Sequence, residues 1–470
     1  MHRFAAMIAL ILASTLHASG PATSMDAFIA EEMLSAGVPG LAYGVTVEGE
    51  ISGDQLGVLR SDEEAAVAPS TPFLIGSVSK SFTALGVMQL VEAGDAELDA
   101  PIGRYLDVYA GRPQSAITVR QLLSHTSGYS MLQGNMSQND LTMDAASLSR
   151  RVANIAAMTP VSQPGETWEY SNANYQVLGR LIEVLSGQDY AAYTADNILS
   201  PIGMNDSFVH GPDNTDGMAT GHRPWFWTKA PSNEVFTGRG SGPQGGIVAS
   251  ARDMARYLSV MMNGEDDVLS AAGKAQMMQP ANDASPFYGL GWFVNTQDGT
   301  VYHSGSNPGY EALATMIPAE KKGVAVLTNA GSGIGFGGTI GLRNGITARA
   351  LGRDYNGEAS PLPQQATFVM LAALPILFVI AMIWAWAKRA AIRAKTGWSG
   401  RFSLWFPLVT TVGLAMAVFL IVPQAFGAPL HTIRLFVPDM GLAMIAGAVT
   451  GVTWAVWRLI IAYTGSTKAS

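Results

Sequence analysis

Three short stretches carry residue types that can do chemistry. In "FLIGSVSKSFTAL", residues 73 to 85, an apolar run turns into a helical pattern, with Ser77 at the junction and Lys80 three positions on. Residues three apart share a helical face, so the amine is expected beside the hydroxyl. A partly desolvated lysine holds its proton less tightly and can take one from serine or stabilise its alkoxide. A helix dipole contributes only about 0.3–1 kcal/mol, too little to activate a serine. One oxyanion donor contributes about 2.7–4 kcal/mol, so a nucleophilic Ser77 needs an amine base and an oxyanion site together. Taken alone, the Ser-x-x-Lys pattern equally fits a capping serine and a solvated lysine, although no other lysine in the chain has serine three residues before it.

The second stretch, "PGETWEYSNANY" (164 to 175), holds the chain's one Tyr-x-Asn, Tyr170-Ser171-Asn172, in a turn-rich lead into a helix. A phenol beside an ammonium ionises more easily and can pass a proton to a leaving group. An asparagine can hold both the lysine and a substrate amide. The third stretch, "VYHSGSNPGY" (301 to 310), holds the one His-x-Gly, His303-Ser304-Gly305, at the end of a predicted strand. Gly305 lets the backbone approach a ligand closely. Each also has a plain reading: a packed tyrosine, a helix-start asparagine, a turn histidine.

Together and in this order these stretches resemble the serine hydrolases of β-lactamase or penicillin-binding fold, in the branch related to class C β-lactamases and DD-peptidases. The resemblance runs over roughly residues 25 to 350. It also takes in "ITVRQLLSHTSGYS" (117 to 130), "GPQGGIVASARDMARYL" (242 to 258) and "YGLGW". It implies an acyl-serine route with no metal or cofactor. Ser77 would be the nucleophile, Lys80 and Tyr170 the base and acid pair, Asn172 an orienting residue and His303 the third-motif residue. The oxyanion donors would be the backbone N–H groups of Ser77 and, past Gly305, Ser306. The implied fold is α/β (α+β), an antiparallel sheet flanked by helices with a largely helical second lobe.

One departure bears on substrate. The lactamase third motif is usually Lys-Thr-Gly, and here it is His-Ser-Gly. Histidine can be neutral at pH 7, so a fixed cation for a β-lactam carboxylate is not assured, which favours a peptidase, amidase or esterase over a strong β-lactamase. Lys395-Thr396-Gly397 does spell the lactamase motif, but it follows an apolar span and is read as an anchor loop. Ser137-Gln138-Asn139 is read as a variable loop. His125 is expected to be structural, and His210 and His222 lack metal-ligand spacing. The absence of Gly-x-Ser-x-Gly disfavours an α/β-hydrolase. "RPWFWTK" (223 to 229) fits a pocket border, a packed core or a membrane-facing edge.

The elements that must hold these residues follow from periodicity. Residues 26 to 36 have helical spacing, and "LAYGVTVEGE" (41 to 50) alternates as a strand, with a turn expected at Gly53. A long helical and loop region follows, to about residue 211. "YGLGWFVNT" (288 to 296), "VYHSG", "ALATMIP" (312 to 318) and "GVAVLTN" (323 to 329) read as closing strands that the early ones can join. Residues 334 to 352 are a glycine-weakened helix candidate.

Composition sets the surroundings. Of 470 residues, 48% are hydrophobic and only 14% charged, against roughly 25% charged in ordinary globular domains, so part of the chain is expected outside water. Residues 1 to 20 read as a secretory signal peptide, 21 to 358 as the hydrolase domain and 359 to 365 as a Pro-rich linker. Residues 366 to 460 hold three apolar segments of about 20 residues, the length of a membrane-spanning helix; 461 to 470 form a tail. Lys388, Arg389, Arg393, Lys395 and Arg401 crowd the first connection. The positive-inside rule puts that connection and the C-terminus in the cytoplasm, and with them the hydrolase domain on the periplasmic side of a bacterial inner membrane. The net charge of -8 argues against nucleic acid as a partner; the expected partners are a small-molecule or peptide substrate and the membrane. With no cysteine there is no thiol catalysis and no disulfide. The layout also resembles membrane-anchored periplasmic prodrug peptidases that mature nonribosomal-peptide products. A penicilloyl-type sensor acylated at Ser77 and signalling through the spans is the alternative from another class.

Overall fold

The computed structural model describes residues 24–464 apart from 137–139, 213, 216 and 236. The expected leader and the Ser137-Gln138-Asn139 loop lie outside the described residues. A six-stranded antiparallel sheet is built from both ends of the hydrolase region. Its strands are β1 (Gly40–Val47), β2 (Glu50–Gly57), β8 (Phe293–Asn295), β9 (Thr300–Asn307), β10 (Tyr310–Ile317) and β11 (Lys322–Thr328), in the order β2-β1-β11-β10-β9-β8. The early strands do join the closing ones: Tyr43 stands opposite Val326 and Val45 opposite Val324.

Alternation sorts the sheet into two faces. Leu41, Val324 and Val326 pack with Phe28, Ile29 and Met33 of α1 (Met25–Ala36) and with Leu342 and Ile346. Ala42, Ala314, Ala325 and Leu327 belong to the larger core shared with the helical lobe. Two elements differ from the sequence expectation. The turn after β1 falls at Glu48-Gly49, and Gly53 lies inside β2, where a Cβ would come 2.2 Å from the Tyr43 carbonyl oxygen. Of residues 288 to 296 only Phe293–Asn295 is strand; the glycines at 289 and 291 fold the preceding residues into turns. A Cβ on Gly291 would meet Ala84 and Ser81 at 2.8 and 3.0 Å.

Between the strands lies the helical lobe. Its central helix, α2 (Ser79–Glu92), is buried on nearly every side, as a helix apolar all round must be. Phe82 on it stacks on Tyr257 at 4.0 Å between ring centroids. α3 (Asn172–Ser186) crosses it, and α4 (Ala251–Met262) buries Met254, Tyr257, Leu258 and Met261 at helical spacing. Short pieces β3 (Phe73–Leu74), β4 (Phe208–Val209) and β7 (Ile247–Ala249) form a small sheet, and β5 (His222–Trp225) with β6 (Thr228–Pro231) a hairpin. α5 (Ile340–Ala350) closes the hydrolase region.

Three apolar helices follow: α6 (Leu362–Ala387), α7 (Gly397–Phe426) and, after the short α8 (Leu430–Phe436), α9 (Pro438–Tyr463). At 1.5 Å per residue the 26 residues of α6 extend roughly 40 Å, enough to cross a hydrocarbon core of about 30 Å. Small residues on α9 let its neighbours close in, Gly447 facing Leu374 and Gly451 facing Phe378. In the aromatic run at 223 to 229, Phe226 and Trp227 lie against the buried Phe368 of α6, where the hairpin meets the apolar helices.

Candidate active site

Ser77 sits in a single 3-10 turn, Gly76–Val78, between β3 and α2. Gly76 has φ +55, and a Cβ there would come 2.4 Å from the backbone nitrogen of Ser306. A Cβ on Gly305 would come 1.9 Å from the Ile75 carbonyl oxygen and 3.0 Å from the Ser77 nitrogen. Two glycines thus allow the Ser77 turn and β9 to touch backbone to backbone, which brings the amides of Ser77 and Ser306 together. Behind Ser306, its hydroxyl donates to Glu311 Oε1 at 2.9 Å, and Glu311 pairs with Arg343 at 3.2 Å.

Lys80, the second residue of α2 and one turn on from Ser77, is fully buried. Its Nζ lies 3.0 Å from Ser77 Oγ, 2.8 Å from Asn172 Oδ1 and 2.7 Å from the Gln244 carbonyl oxygen. No carboxylate is among these partners. Burial therefore holds the amine well below the ordinary lysine range.

Tyr170 lies close to Ser77, and Lys80 Nζ lies 4.9 Å from its ring centroid. Loss of water pushes the phenol upward, outweighing the opposing influence of the nearby Ser77. The expectation of an easily ionised tyrosine is thereby reversed: a dry site favours neutral amine and neutral phenol over an ion pair. The Tyr-Ser-Asn segment is fixed through its middle residue. Ser171 N–H donates to His125 Nδ1 at 3.1 Å, and its hydroxyl donates to the Ser130 carbonyl at 2.8 Å. Ser130 itself is held by a capping box with Gln133. Asn172 Nδ2 donates to Asn135 Oδ1 at 2.7 Å.

His125, at φ +60, is buried among the rings of Tyr170, Tyr175 and Tyr288 at centroid distances of 4.4, 5.2 and 5.0 Å. Its Nδ1 faces two N–H donors, from Ser171 and from Asn174 Nδ2 at 3.0 Å. An acceptor Nδ1 puts the proton of the neutral ring on Nε2. Burial, then Lys80, keep this imidazole well below its usual range.

His303 lies within β9, which runs on to Asn307 rather than ending at the motif. Its buried ring is held by the Tyr288 hydroxyl at Nε2 (3.2 Å) and the Ser304 carbonyl at Nδ1 (2.6 Å). Burial and the Lys80 charge push it down to about 3, so the ring carries no charge at neutral pH. It stands behind Tyr170 rather than on the cavity wall. Lys395-Thr396-Gly397 lies at the far end of α6 and α7, roughly 40 Å along those helices from the ends that meet the hydrolase region.

A cavity of about 260 Å³ opens on Ser77, with Asn172, Gln244, Ser306 and Asn307 on its polar side. Sequence reasoning assigned no role to Gln244, Asn135 or Tyr288. The "GPQGG" stretch containing Gln244 is part of the resemblance, but its contribution is a main-chain carbonyl, which side-chain motifs do not advertise. Asn135 lies in a stretch with no motif at all.

Comparison with known proteins bears on this arrangement. The family model described as Beta-lactamase matches residues 25–342. "Penicillin-binding protein 4" of Amycolatopsis lactamdurans is 30% identical over 326 residues, covering 64% of this chain and 83% of that protein. Among solved structures, the octameric penicillin-binding protein homologue from Pyrococcus abyssi superposes with a TM-score of 0.61 at 26% identity, over 72% of this chain and 78% of that one. SurE with D-Leu gives 0.58 at 26%, over 71% and 76%. Because the family match runs through the whole six-stranded sheet and the helical lobe between its strands, the chain belongs to the serine β-lactamase and penicillin-binding-protein-like family.

Proposed function

We propose that the protein is a membrane-anchored extracytoplasmic serine hydrolase that cleaves an amide or ester bond through an acyl-Ser77 intermediate. The observation that carries this reading is the hydrogen bonding of Lys80. A neutral primary amine has two hydrogens and one lone pair. Asn172 Oδ1 and the Gln244 carbonyl take the two hydrogens, at 2.8 and 2.7 Å. The lone pair is then left for the Ser77 hydroxyl, 3.0 Å away. Burial lowers the amine's proton affinity, which favours the form that can use it.

In acylation, Ser77 Oγ bonds to the substrate carbonyl carbon while its proton passes to Lys80. The backbone N–H groups of Ser77 and Ser306 receive the oxyanion. Tyr170, a protonated phenol, gives its proton to the departing nitrogen or oxygen and regains one from Lys80, since a free phenolate is disfavoured in this dry setting. Water then attacks the acyl-enzyme carbonyl, its proton leaving by the same amine, and Ser77 is restored. Asn172 orients both lysine and substrate amide.

The substrate class is read as D-amino-acid peptides or amides, or esters, rather than β-lactams. The neutral His303 supplies no fixed cation for a β-lactam carboxylate, and the relative SurE is recorded with D-Leu. The positive run between α6 and α7, Lys388 to Arg401, favours a cytoplasmic first connection and a periplasmic hydrolase domain. The test is labelling of the full chain by a fluorophosphonate, followed by a panel of D-aminoacyl amides, acyl-D-amino-acid peptides and p-nitrophenyl esters. Ser77→Ala is expected to abolish labelling and turnover; labelling of equal intensity in that variant would refute the assignment.

A further inference from the structure

The hairpin of β5 and β6 turns through two aromatic residues. Trp225 pairs with Thr228, so Phe226 and Trp227 form a two-residue loop, with φ +37 and +65. Asparagine and glycine are preferred at such positions, because a bulky side chain is strained at positive φ. Phe226 packs on the cluster around Phe368 of α6. The indoles on either side of it are left open: Trp225 and Trp227 stay 44% and 57% exposed, although the Trp227 ring meets Phe336 and Phe368 edge-on. The hairpin is nevertheless fixed at both strands. Lys229 Nζ donates to the Gly331 and Gly337 carbonyls at 2.5 and 2.7 Å, and Phe226 N–H donates to Asp439 Oδ2 at the start of α9, at 3.0 Å.

The level of this tip along the apolar helices can be counted. A hydrocarbon core of about 30 Å takes about 20 helical residues. Counted back from Ala387, where Lys388 and Arg389 follow, that length reaches Phe368, the residue beside the hairpin tip. Tryptophan and tyrosine mark both faces of a bilayer, because their rings are apolar and their N–H or O–H groups are not. The three long helices carry such residues at one end only. Trp384, Trp386, Trp398, Trp405, Trp454, Trp457 and Tyr463 all lie in the helix halves nearer the Lys388-to-Arg401 connection, and the opposite halves contain neither type.

We infer that the β5–β6 hairpin supplies the missing belt: Trp225 and Trp227 seat the hydrolase region on the phospholipid interface at the other face of the bilayer. The inference rests on the membrane-anchored part of the proposed function and adds a lipid contact made by the hydrolase region itself. The hairpin is bridged to the main sheet through His222 and Ala330, so the contact also fixes the tilt of that sheet over the bilayer.

The chain has no cysteine, so one introduced cysteine carries a unique nitroxide. The full chain is placed in nanodiscs of phosphatidylcholine and phosphatidylglycerol, labelled after Trp225→Cys or after Trp227→Cys. The readout is collision with oxygen, which concentrates in lipid, against collision with a nickel chelate, which stays in water. Ile380→Cys, midway along α6, and Glu50→Cys, exposed at the sheet end away from the hairpin, are the references. Both hairpin labels are expected to lose nickel collisions relative to position 50, to gain oxygen collisions, and to report a depth within about 5–10 Å of the headgroup boundary. Nickel collisions equal to those at position 50, with position 380 shielded, overturn the lipid contact alone. Shielding from both quenchers means that protein, such as a second copy, covers the tip, and overturns it too. A position 380 as open to nickel as position 50 overturns the anchoring reading and the contact with it. If the labelled variants do not purify folded, the double variant Trp225→Phe, Trp227→Phe is compared with the parent in discs with and without lipids brominated at the upper acyl chain. The fluorescence lost by the substitution is expected to be smaller in brominated discs, where those indoles are already quenched; an equal loss in both overturns the contact.

Discussion

Gly305→Ala tests the closest approach in the site. The added Cβ would sit 1.9 Å from the Ile75 carbonyl oxygen, where ordinary contact begins near 3.4 Å. Relief requires β9 and the Ser77 turn to separate by about 1.5 Å, and a misplacement of 1 Å can cost about 100-fold in rate. Neither side yields as a flexible side chain would. The obstacle is backbone, and β9 is bound to β10 through the pair Gly305 and Ala312. The separation moves the Ser306 amide away from the oxyanion position proposed between it and Ser77. Loss of one such donor costs about 2.7–4 kcal/mol, or 100- to 1,000-fold in kcat. The assay is ester hydrolysis with matched thermal melts, using Gly338→Ala as the control, since the nearest atom to a Cβ there is 3.9 Å away. A folded Gly305→Ala protein with kcat within twofold of the parent would mean that this contact does not set the oxyanion geometry, and the site reading would fall.

Three further outcomes follow from the charges. With Lys80 as the proposed base, kcat/KM should fall as pH is lowered through its pKa, which burial holds well below the ordinary lysine value; the pH–rate profile reads this directly. Lys80→Arg keeps its proton at every working pH, so it should lose the 100- to 10,000-fold contribution of a general base and show no recovery up to pH 10. His303→Gln should retain the parent's acid limb, because the imidazole, pushed down to about 3, does not titrate there; disappearance of the limb would reassign the titrating group. For stability, Arg343→Met leaves Glu311 buried without its cation, a change worth about 3–5 kcal/mol. Its melting midpoint should drop, and the double variant with Glu311→Gln should recover much of the loss; additive losses would show that the pair is not coupled.

Local spacing made much of this legible. The relation of Ser77 to Lys80 is a property of one helical turn, and the Tyr170-to-Asn172 segment is short enough that its two candidate side chains travel together. The strands that close the sheet carry period-two alternation, and the apolar helices announce themselves by length. Where glycine approaches another backbone, the reading faltered: β2 runs through Gly53, and residues 288 to 292 turn against α2 although their composition suits a strand. The ionisation of Tyr170 came out opposite to expectation because the sequence names the neighbouring charge but not the loss of water that outweighs it.

The sequence by itself determined which groups could react, in what order along the chain, and which segments could enter a bilayer. Only the tertiary structure decided the state in which they meet. It turns His303 inward against Tyr288, lends the Gln244 carbonyl to Lys80, and closes the Ser77 cavity with a connection more than 300 residues downstream. The physical reason is common to all three. Periodicity and propensity are encoded over a few residues, whereas burial and the proton affinities it sets arise from surfaces contributed by segments that nothing local relates.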